Sequence, residues 1–360
     1  MKKDSHGGNI YKKAKELGIR EDEILDYSAN ISPLGLPEYI RQAMIKAIDG
    51  TINYPDPECS ELKAAIAAHD GVEESFISCG NGGADLLYRI AFGLKPKKAV
   101  LAVPAFVEYE EALSAVGTEM KYYYMGEDFR IKEDFLSEIT EDVDIVVICN
   151  PNNPTGLLTE RSFIEKILEQ ASRKNAYLLL DECFLEICAD EEAYTLKAYV
   201  KDHPNLIILK SFTKLYAIPG VRLGYIISAN PQVIERVNRA GQAWSVSHIA
   251  QCAGVAALTN LEYKQKVIEI VKQELSFMKE ELGKLPIRLF DGQANYLFFR
   301  APGVTDLDKR MEQHGIMIRN CSNYVNLGDD YWRVAVKSRE ENQRFIQAIS
   351  EILGNSQPSR

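Results

Sequence analysis

Asn205-Leu-Ile-Ile-Leu-Lys-Ser-Phe-Thr-Lys214-Leu-Tyr-Ala-Ile-Pro-Gly-Val-Arg222-Leu-Gly-Tyr225 is the stretch on which the reading of this chain turns. The unbroken apolar run Leu206 to Leu209 predicts a strand of a parallel sheet, buried on both faces. The turn after it carries two hydroxyls, Ser211 and Thr213, and then Lys214. Arg222 follows eight residues on, beyond a Pro219-Gly220 turn that bends the chain back. Hydroxyls and a guanidinium in such a turn suit a phosphate ester, because the planar fork of arginine grips an oxyanion with two charge-assisted bonds. A lysine amine beside them can condense with an aldehyde. A lone lysine after a strand is usually only solvated, so the weight of Lys214 comes from its neighbours, and Lys210 has no such company.

Two segments upstream add complementary groups. Ile145 to Cys149 is a second apolar strand, and it runs into Asn150-Pro-Asn-Asn153-Pro-Thr-Gly156. A turn this rich in Asn, Pro and Gly presents Asn153 at the C-terminal end of the strand, where open α/β sheets bind ligands and an amide can donate to a phenolate oxygen. Alone, the segment reads as a tight turn. Tyr177-Leu-Leu-Leu-Asp181 is a third buried strand with an acid at its exit, 33 residues before Lys214. Capping is the ordinary role of such an Asp.

The ordered set Asn153-Pro-Thr-Gly156, Asp181, Ser211-x-x-Lys214 and Arg222 resembles the fold-type-I pyridoxal 5′-phosphate (PLP) enzymes of the aspartate aminotransferase superfamily, over nearly the whole chain. The resemblance implies PLP as cofactor, with Lys214 joined to its aldehyde, Asp181 against the pyridine nitrogen and Asn153 on the ring oxygen. Ser211, Thr213 and Arg222 are then phosphate ligands. It implies an α/β fold: a large PLP-binding domain at residues 45–246, with a mostly parallel sheet covered by helices, and a smaller α+β domain formed by residues 1–44 and 247–360. The turn Cys79-Gly-Asn-Gly82-Gly83-Ala84 precedes a helical pattern, and its free N–H groups suit an anion at the helix N-terminus. It matches the family's phosphate cup at Gly82, Gly83 and Ala84. Phe106 matches the aromatic residue that stacks on the pyridine ring, although a core Phe fits the pattern nearly as well. Tyr54 resembles the tyrosine that reaches the phosphate of a neighbouring subunit, which implies a homodimer with shared active sites.

Within the superfamily, the chain is most similar to the branch holding histidinol-phosphate aminotransferases and threonine-phosphate decarboxylases. His6-Gly-Gly-Asn9 and Asp26-Tyr-Ser-Ala-Asn30-Ile-Ser-Pro-Leu-Gly-Leu-Pro37 are similar to the opening of the decarboxylases, which make aminopropanol phosphate for cobalamin. Phe184 stands three residues after Asp181, where the aminotransferases carry a Tyr whose hydroxyl bonds the cofactor O3′. Its absence leaves O3′ more dependent on Asn153, and Phe is the decarboxylase-like residue. Arg333 matches the arginine that binds the substrate carboxylate in aminotransferases, and Arg319 adds a second cation. With His6, Asn30 and Asn153 they suit a substrate carrying both a carboxylate and a phosphate. Decarboxylation of L-threonine O-3-phosphate is therefore expected, with transamination of the histidinol-phosphate kind as the alternative. The outcome depends on which Cα bond stands perpendicular to the ring.

Composition agrees with an enzyme. The 360 residues are 46% hydrophobic, enough for a large core and more than one domain. Net charge is −10 with no basic stretch interleaved with aromatics, so nucleic acid is not an expected partner. Seven scattered cysteines without a Cys-x-x-Cys pair predict reduced thiols in a cytoplasmic protein. His69, His203, His248 and His314 read as structural, and no metal is expected. The N-terminus lacks an apolar h-region, and no apolar stretch is long enough to span a membrane. No Gly-x-Gly-x-x-Gly follows a first strand, which argues against a dehydrogenase. A PLP-binding transcription regulator would need an N-terminal helix-turn-helix extension ahead of His6.

Periodicity organises the rest. Helices are predicted at 38–48, 58–69, 84–94, 107–115, 160–173 and 232–240, alternating with strands near 99–103, 119–124, 145–149, 177–181, 206–209 and 224–228. One long helical tract at 248–282 follows, then a strand at 295–300, a helix near 305–314, a strand at 332–336, a helix at 340–353 and a polar tail.

Overall fold

A computed structural model describes residues 6–188 and 190–354; the first five residues and the polar tail after Gly354 lie outside the described residues. Seven strands form the central sheet: β1 (Ile77–Gly80), β2 (Lys98–Val103), β3 (Glu119–Tyr124), β4 (Ile145–Cys149), β5 (Tyr177–Asp181), β6 (Leu206–Ser211) and β7 (Gly224–Ile227). Their spatial order is β1-β7-β6-β5-β4-β2-β3. Strands β2 to β6 run parallel, while β7 is antiparallel to both β6 and β1.

The apolar runs are explained by burial on two sides. Val100, Ala102, Val146, Ile148, Leu178, Leu180, Leu206 and Ile208 pack into one core, and the intervening Ala99, Leu101, Val103, Ile145, Val147, Leu179, Ile207 and Leu209 pack into another. A strand whose successive side chains enter different cores has no polar face to show. Because β4, β5 and β6 lie side by side with Cys149 level with Asp181 and Asp181 level with Leu209, their C-terminal ends open at one rim of the sheet. The antiparallel β7 begins at that rim, with Gly224 level with both Ser211 and Gly80. Gly224 is required there, since a Cβ would lie 2.9 Å from the Lys210 carbonyl oxygen and 3.0 Å from the Gly83 nitrogen.

A smaller antiparallel sheet comprises β8 (Arg288–Leu289), β9 (Tyr296–Arg300), β10 (Arg319–Asn320) and β11 (Tyr331–Ala335), in the order β10-β11-β9-β8. It shares a core with the helices Leu261–Leu282 and Arg339–Gly354. The N-terminal segment joins this side of the molecule, Leu25 and Asp26 pairing in parallel with Ile316 and Met317. It also crosses to the central sheet, where the Ser32 N–H donates to the Lys214 carbonyl (2.9 Å).

Several expectations are corrected. The helical tract at 248–282 is two helices, His248–Ala257 and Leu261–Leu282, because the Asn260 side chain accepts from the Tyr263 N–H and starts a new one. The helix expected from residue 58 starts at Ser60, since the Asp56 carboxylate takes the N–H groups of Glu58 and Ser60. Strand β1 and the helix Ile10–Leu17 were not expected at all. Among the described residues, no helix is long and apolar enough to cross a membrane.

Candidate active site

The rim where β4, β5, β6 and β7 converge opens into a cavity of about 620 Å³. It is lined by Gly83, Ala84, Phe106, Asn153, Asp181, Ser211, Thr213, Lys214 and Arg222 from the large-sheet side, and by His6, Asn30, Arg319 and Arg333 from the other side. Residues spread over more than three hundred positions of sequence thus meet in one place. Gly82 is the hinge of the glycine turn rather than a wall of the cavity. Tyr54 is not brought in: it stands 79% exposed, stacked on Trp244 at 4.5 Å.

One end of the cavity is built for a phosphate. Gly82 has φ +91, and a Cβ on it would lie 2.5 Å from Arg222 Nη2, so only glycine lets the guanidinium approach the turn. The helix Gly83–Leu94 starts there with no side-chain cap, leaving its first N–H groups for an anion. The Ser211 and Thr213 hydroxyls lie 2.8 Å apart beside it. Arg222 adopts the left-handed backbone region (φ 61), a conformation uncommon for a residue with a side chain, and it is held by an Nη1–H bond to the Pro219 carbonyl.

The middle of the cavity holds Lys214 and Asp181. Burial, reinforced by Arg333 and Arg222, lowers the Lys214 pKa to about 8, so an appreciable fraction of the amine is unprotonated near neutrality. Its Nζ lies 5.4 Å from the Phe184 ring centre, and Phe184 is itself set edge-on against Tyr296. Lys210, four residues earlier, points to the other side of the sheet, with its Nζ 2.6 Å from Glu191. Asp181 is buried, which pushes its pKa up, while N–H and O–H donors from Cys183 and Tyr109 and the charge of Lys214 work against that. Phe106 packs edge-on against Tyr109 at 5.7 Å.

The far end is cationic. Arg319 and Arg333 are direct cross-strand partners on β10 and β11 and are both buried. Arg333 donates through Nη1 to Asn153 Oδ1 (2.5 Å) and through Nη2 to the Ser28 carbonyl (2.9 Å), while its buried Nε has no partner. Asn153 Oδ1 also accepts from the Tyr324 hydroxyl (3.2 Å), so its amide nitrogen is left to face the cavity. Asn30 is buried with an unsatisfied Oδ1. His6 sits at the mouth, 2.7 Å from Glu108, on an arm held against Ser28 by the Gly8 N–H to Ser28 Oγ bond.

Sequence reasoning did not find Tyr109, Tyr324, Ser28 or Glu108. Each meets its partner across a long sequence separation, as Tyr109 does with Asp181, 72 positions away. A tyrosine three residues after Phe106 was the available signal.

An anion cradle, a buried lysine poised to lose its proton, a buried carboxylate and an arginine with an unspent N–H together fit PLP and an anionic amino acid. The class so defined is a fold-type-I PLP-dependent enzyme. The chain matches the aminotransferase class I and II family over residues 22–349 and belongs to it. It is 36% identical to the threonine-phosphate decarboxylase of Salmonella typhimurium over 359 residues, covering 99% of this chain and 98% of that protein. It is 32% identical to the adenosylcobalamin biosynthesis bifunctional protein CobDQ of Leptospira interrogans, covering 98% of this chain and 41% of that protein. The crystal structure of histidinol-phosphate aminotransferase from Clostridium acetobutylicum superposes with a TM-score of 0.87 at 28% identity, covering 92% of this chain and all of that one.

Proposed function

We propose that the chain decarboxylates L-threonine O-3-phosphate to (R)-1-aminopropan-2-yl phosphate, a step of cobalamin biosynthesis. The observation that carries this reading is the pair of buried cross-strand arginines, Arg319 and Arg333, at the end of the cavity opposite the phosphate cradle. A dianionic substrate phosphate suits two fixed guanidiniums better than a lone carboxylate does. The 36% identity to a threonine-phosphate decarboxylase over nearly its full length supports the same reading.

When bound, PLP supplies an electron sink for the pair left at Cα as a bond there breaks. Arg222, Ser211, Thr213 and the N–H groups of Gly83 and Ala84 would hold its phosphate. Asp181 would keep a proton on its ring nitrogen, and the amide of Asn153 would donate to its ring oxygen. Phe106 covers one face. Arg319 and Arg333, with His6 at the mouth and the buried Asn30, would anchor the substrate phosphate and leave the carboxylate as the group to be lost from Cα. CO₂ departs, and Lys214, with its lowered pKa, returns a proton to Cα. The apolar Phe184 gives the ring oxygen no second donor.

A second copy of the chain completes the site in this reading. Ile52, Tyr54 and Trp244 are exposed on one chain (88, 79 and 47%), and Tyr54 lies outside its own cavity, free to serve the partner's.

The test is incubation of the holoenzyme with L-threonine phosphate, with and without 2-oxoglutarate, reading CO₂ and glutamate. CO₂ should be released without a keto acid, and unphosphorylated threonine should react poorly. Arg333→Ala should lower kcat/KM by roughly 30- to 5,000-fold, the cost of losing a buried charge-assisted pair. Glutamate formation with histidinol phosphate as donor, faster than CO₂ release from threonine phosphate, would replace this reading with transamination.

A further inference from the structure

Tyr109 is 1% exposed, in the first turn of the helix Val107–Ser114, and its hydroxyl donates to Asp181 Oδ2 at 2.5 Å. The other carboxylate oxygen, Oδ1, accepts the Cys183 N–H at 2.8 Å. Each oxygen of Asp181 is therefore fixed by one donor from a different element, and each keeps a lone pair for the cavity that Asp181 and Tyr109 both line. An O–H bond this short to a carboxylate belongs to the charge-assisted class. The phenol cannot compete for the negative charge: burial and the neighbouring Asp181 raise its pKa well above the ordinary tyrosine value. The other groups facing Asp181 are the Lys214 amine and the thiols of Cys183 and Cys149. Burial pushes both thiols up, so neither brings a counter-charge.

We propose that Tyr109 is a positioning residue that holds the Asp181 carboxylate in one orientation and in its anionic form for the cofactor's ring nitrogen. The inference rests on the assignment of Asp181 to that nitrogen and is independent of which substrate the enzyme takes. A carboxylate in a dry site stays charged only when donors compensate for its lost hydration. Without the phenol, the proton shared between Asp181 and the ring nitrogen moves toward the carboxylate, and the ring loses positive charge. The same side chain braces Phe106 edge-on, so one residue supports both the face and the nitrogen of the ring.

Tyr109→Phe removes the hydroxyl and keeps the ring packing, and the experiment compares it with Asp181→Asn and the double variant. Three quantities are read for all four proteins: affinity of the apoprotein for PLP, the nitrogen chemical shift of ¹⁵N-labelled PLP in the holoprotein, and the apoprotein melting temperature. Tyr109→Phe should weaken PLP binding roughly 10- to 100-fold, the range for a hydrogen bond to a charged group, and shift the ring nitrogen toward its unprotonated value. In the Asp181→Asn background the same change should have less than about a twofold effect, because a residue acting through Asp181 has nothing left to act on. Equal losses in both backgrounds, or a wild-type nitrogen shift in Tyr109→Phe, would reduce Tyr109 to a packing residue. An Asp181→Asn protein with an unchanged nitrogen shift would remove the premise, whereas failure to release CO₂ from threonine phosphate would leave these measurements standing.

Discussion

Lys214 shows how much one residue's surroundings decide. A solvated lysine titrates near 10.5, and burial beside two arginines brings this one to about 8. Between those values the unfolded chain binds a proton that the folded apoprotein does not, so this group makes stability rise with pH across that interval. Below pH 8 the folded state bears the full cost of a buried ammonium, on the order of 3 kcal/mol for a shift of this size. Apoprotein carrying Lys214→Met should therefore be more stable than the parent at pH 7, and the gap should close between pH 8 and 10.5; urea titrations across that range check it. Gly82 is as tightly constrained by geometry. Gly82→Ala places a Cβ at φ +91 against the Arg222 guanidinium, and PLP affinity of the apoprotein should fall about tenfold or more while the rest of the fold persists. Both residues were legible in the sequence because their neighbours along the chain, Ser211 to Arg222 and Cys79 to Ala84, carry the pattern. Tyr109 and Tyr324 were not, since a buried tyrosine reads as core until the carboxylate or amide it touches is brought to it from far along the chain.

At the scale of elements, the four inner parallel strands, β2, β4, β5 and β6, were legible because each is apolar on both faces. Strand β1 was not: Ile77-Ser-Cys-Gly80 has one large apolar residue, and its Ser78 is buried only because its hydroxyl donates to Asn238, 160 positions away. Lys210 is a similar case, a charge in the middle of an otherwise apolar strand. Its ammonium is wholly buried and meets Glu191 at 2.6 Å, Asp70 at 3.6 Å and Glu186 at 3.7 Å. Burial alone would strip its charge, yet those carboxylates hold its pKa well above the ordinary lysine range. Lys264, on the helix Leu261–Leu282, bonds the same Glu191 at 2.6 Å, so the cluster ties β6 to a helix that also packs against the smaller sheet. Removing the central cation leaves buried carboxylates facing one another, which costs about 3–5 kcal/mol in comparable ion clusters. Lys210→Met should lower the denaturation midpoint accordingly, while leaving the pyridoxyl label from borohydride reduction on Lys214.

For the whole molecule, the decisive residues are those that one chain leaves unused. Tyr54 stacks on Trp244 at the surface, and Ile52 beside it is nearly bare. A monomer gains nothing from holding three such side chains in water, whereas an isologous dimer would bury both copies of the patch and could place each Tyr54 at the partner's phosphate cradle. That arrangement makes a quantitative prediction. Lys214→Ala abolishes the site that its own chain supplies, and Tyr54→Ala damages the site of the partner. In a dimer containing one chain of each kind, both lesions fall in the same cavity and the other cavity is intact. Random reassembly of equal amounts puts half the dimers in this mixed state with one working site of two, so about a quarter of wild-type activity per chain should return from two nearly inactive proteins. Size-exclusion chromatography with differently tagged chains verifies that mixing has occurred. If mixed dimers form and no activity returns, Tyr54 acts on its own subunit's cavity, and if Tyr54→Ala keeps full activity alone, the cavity needs no Tyr54 at all.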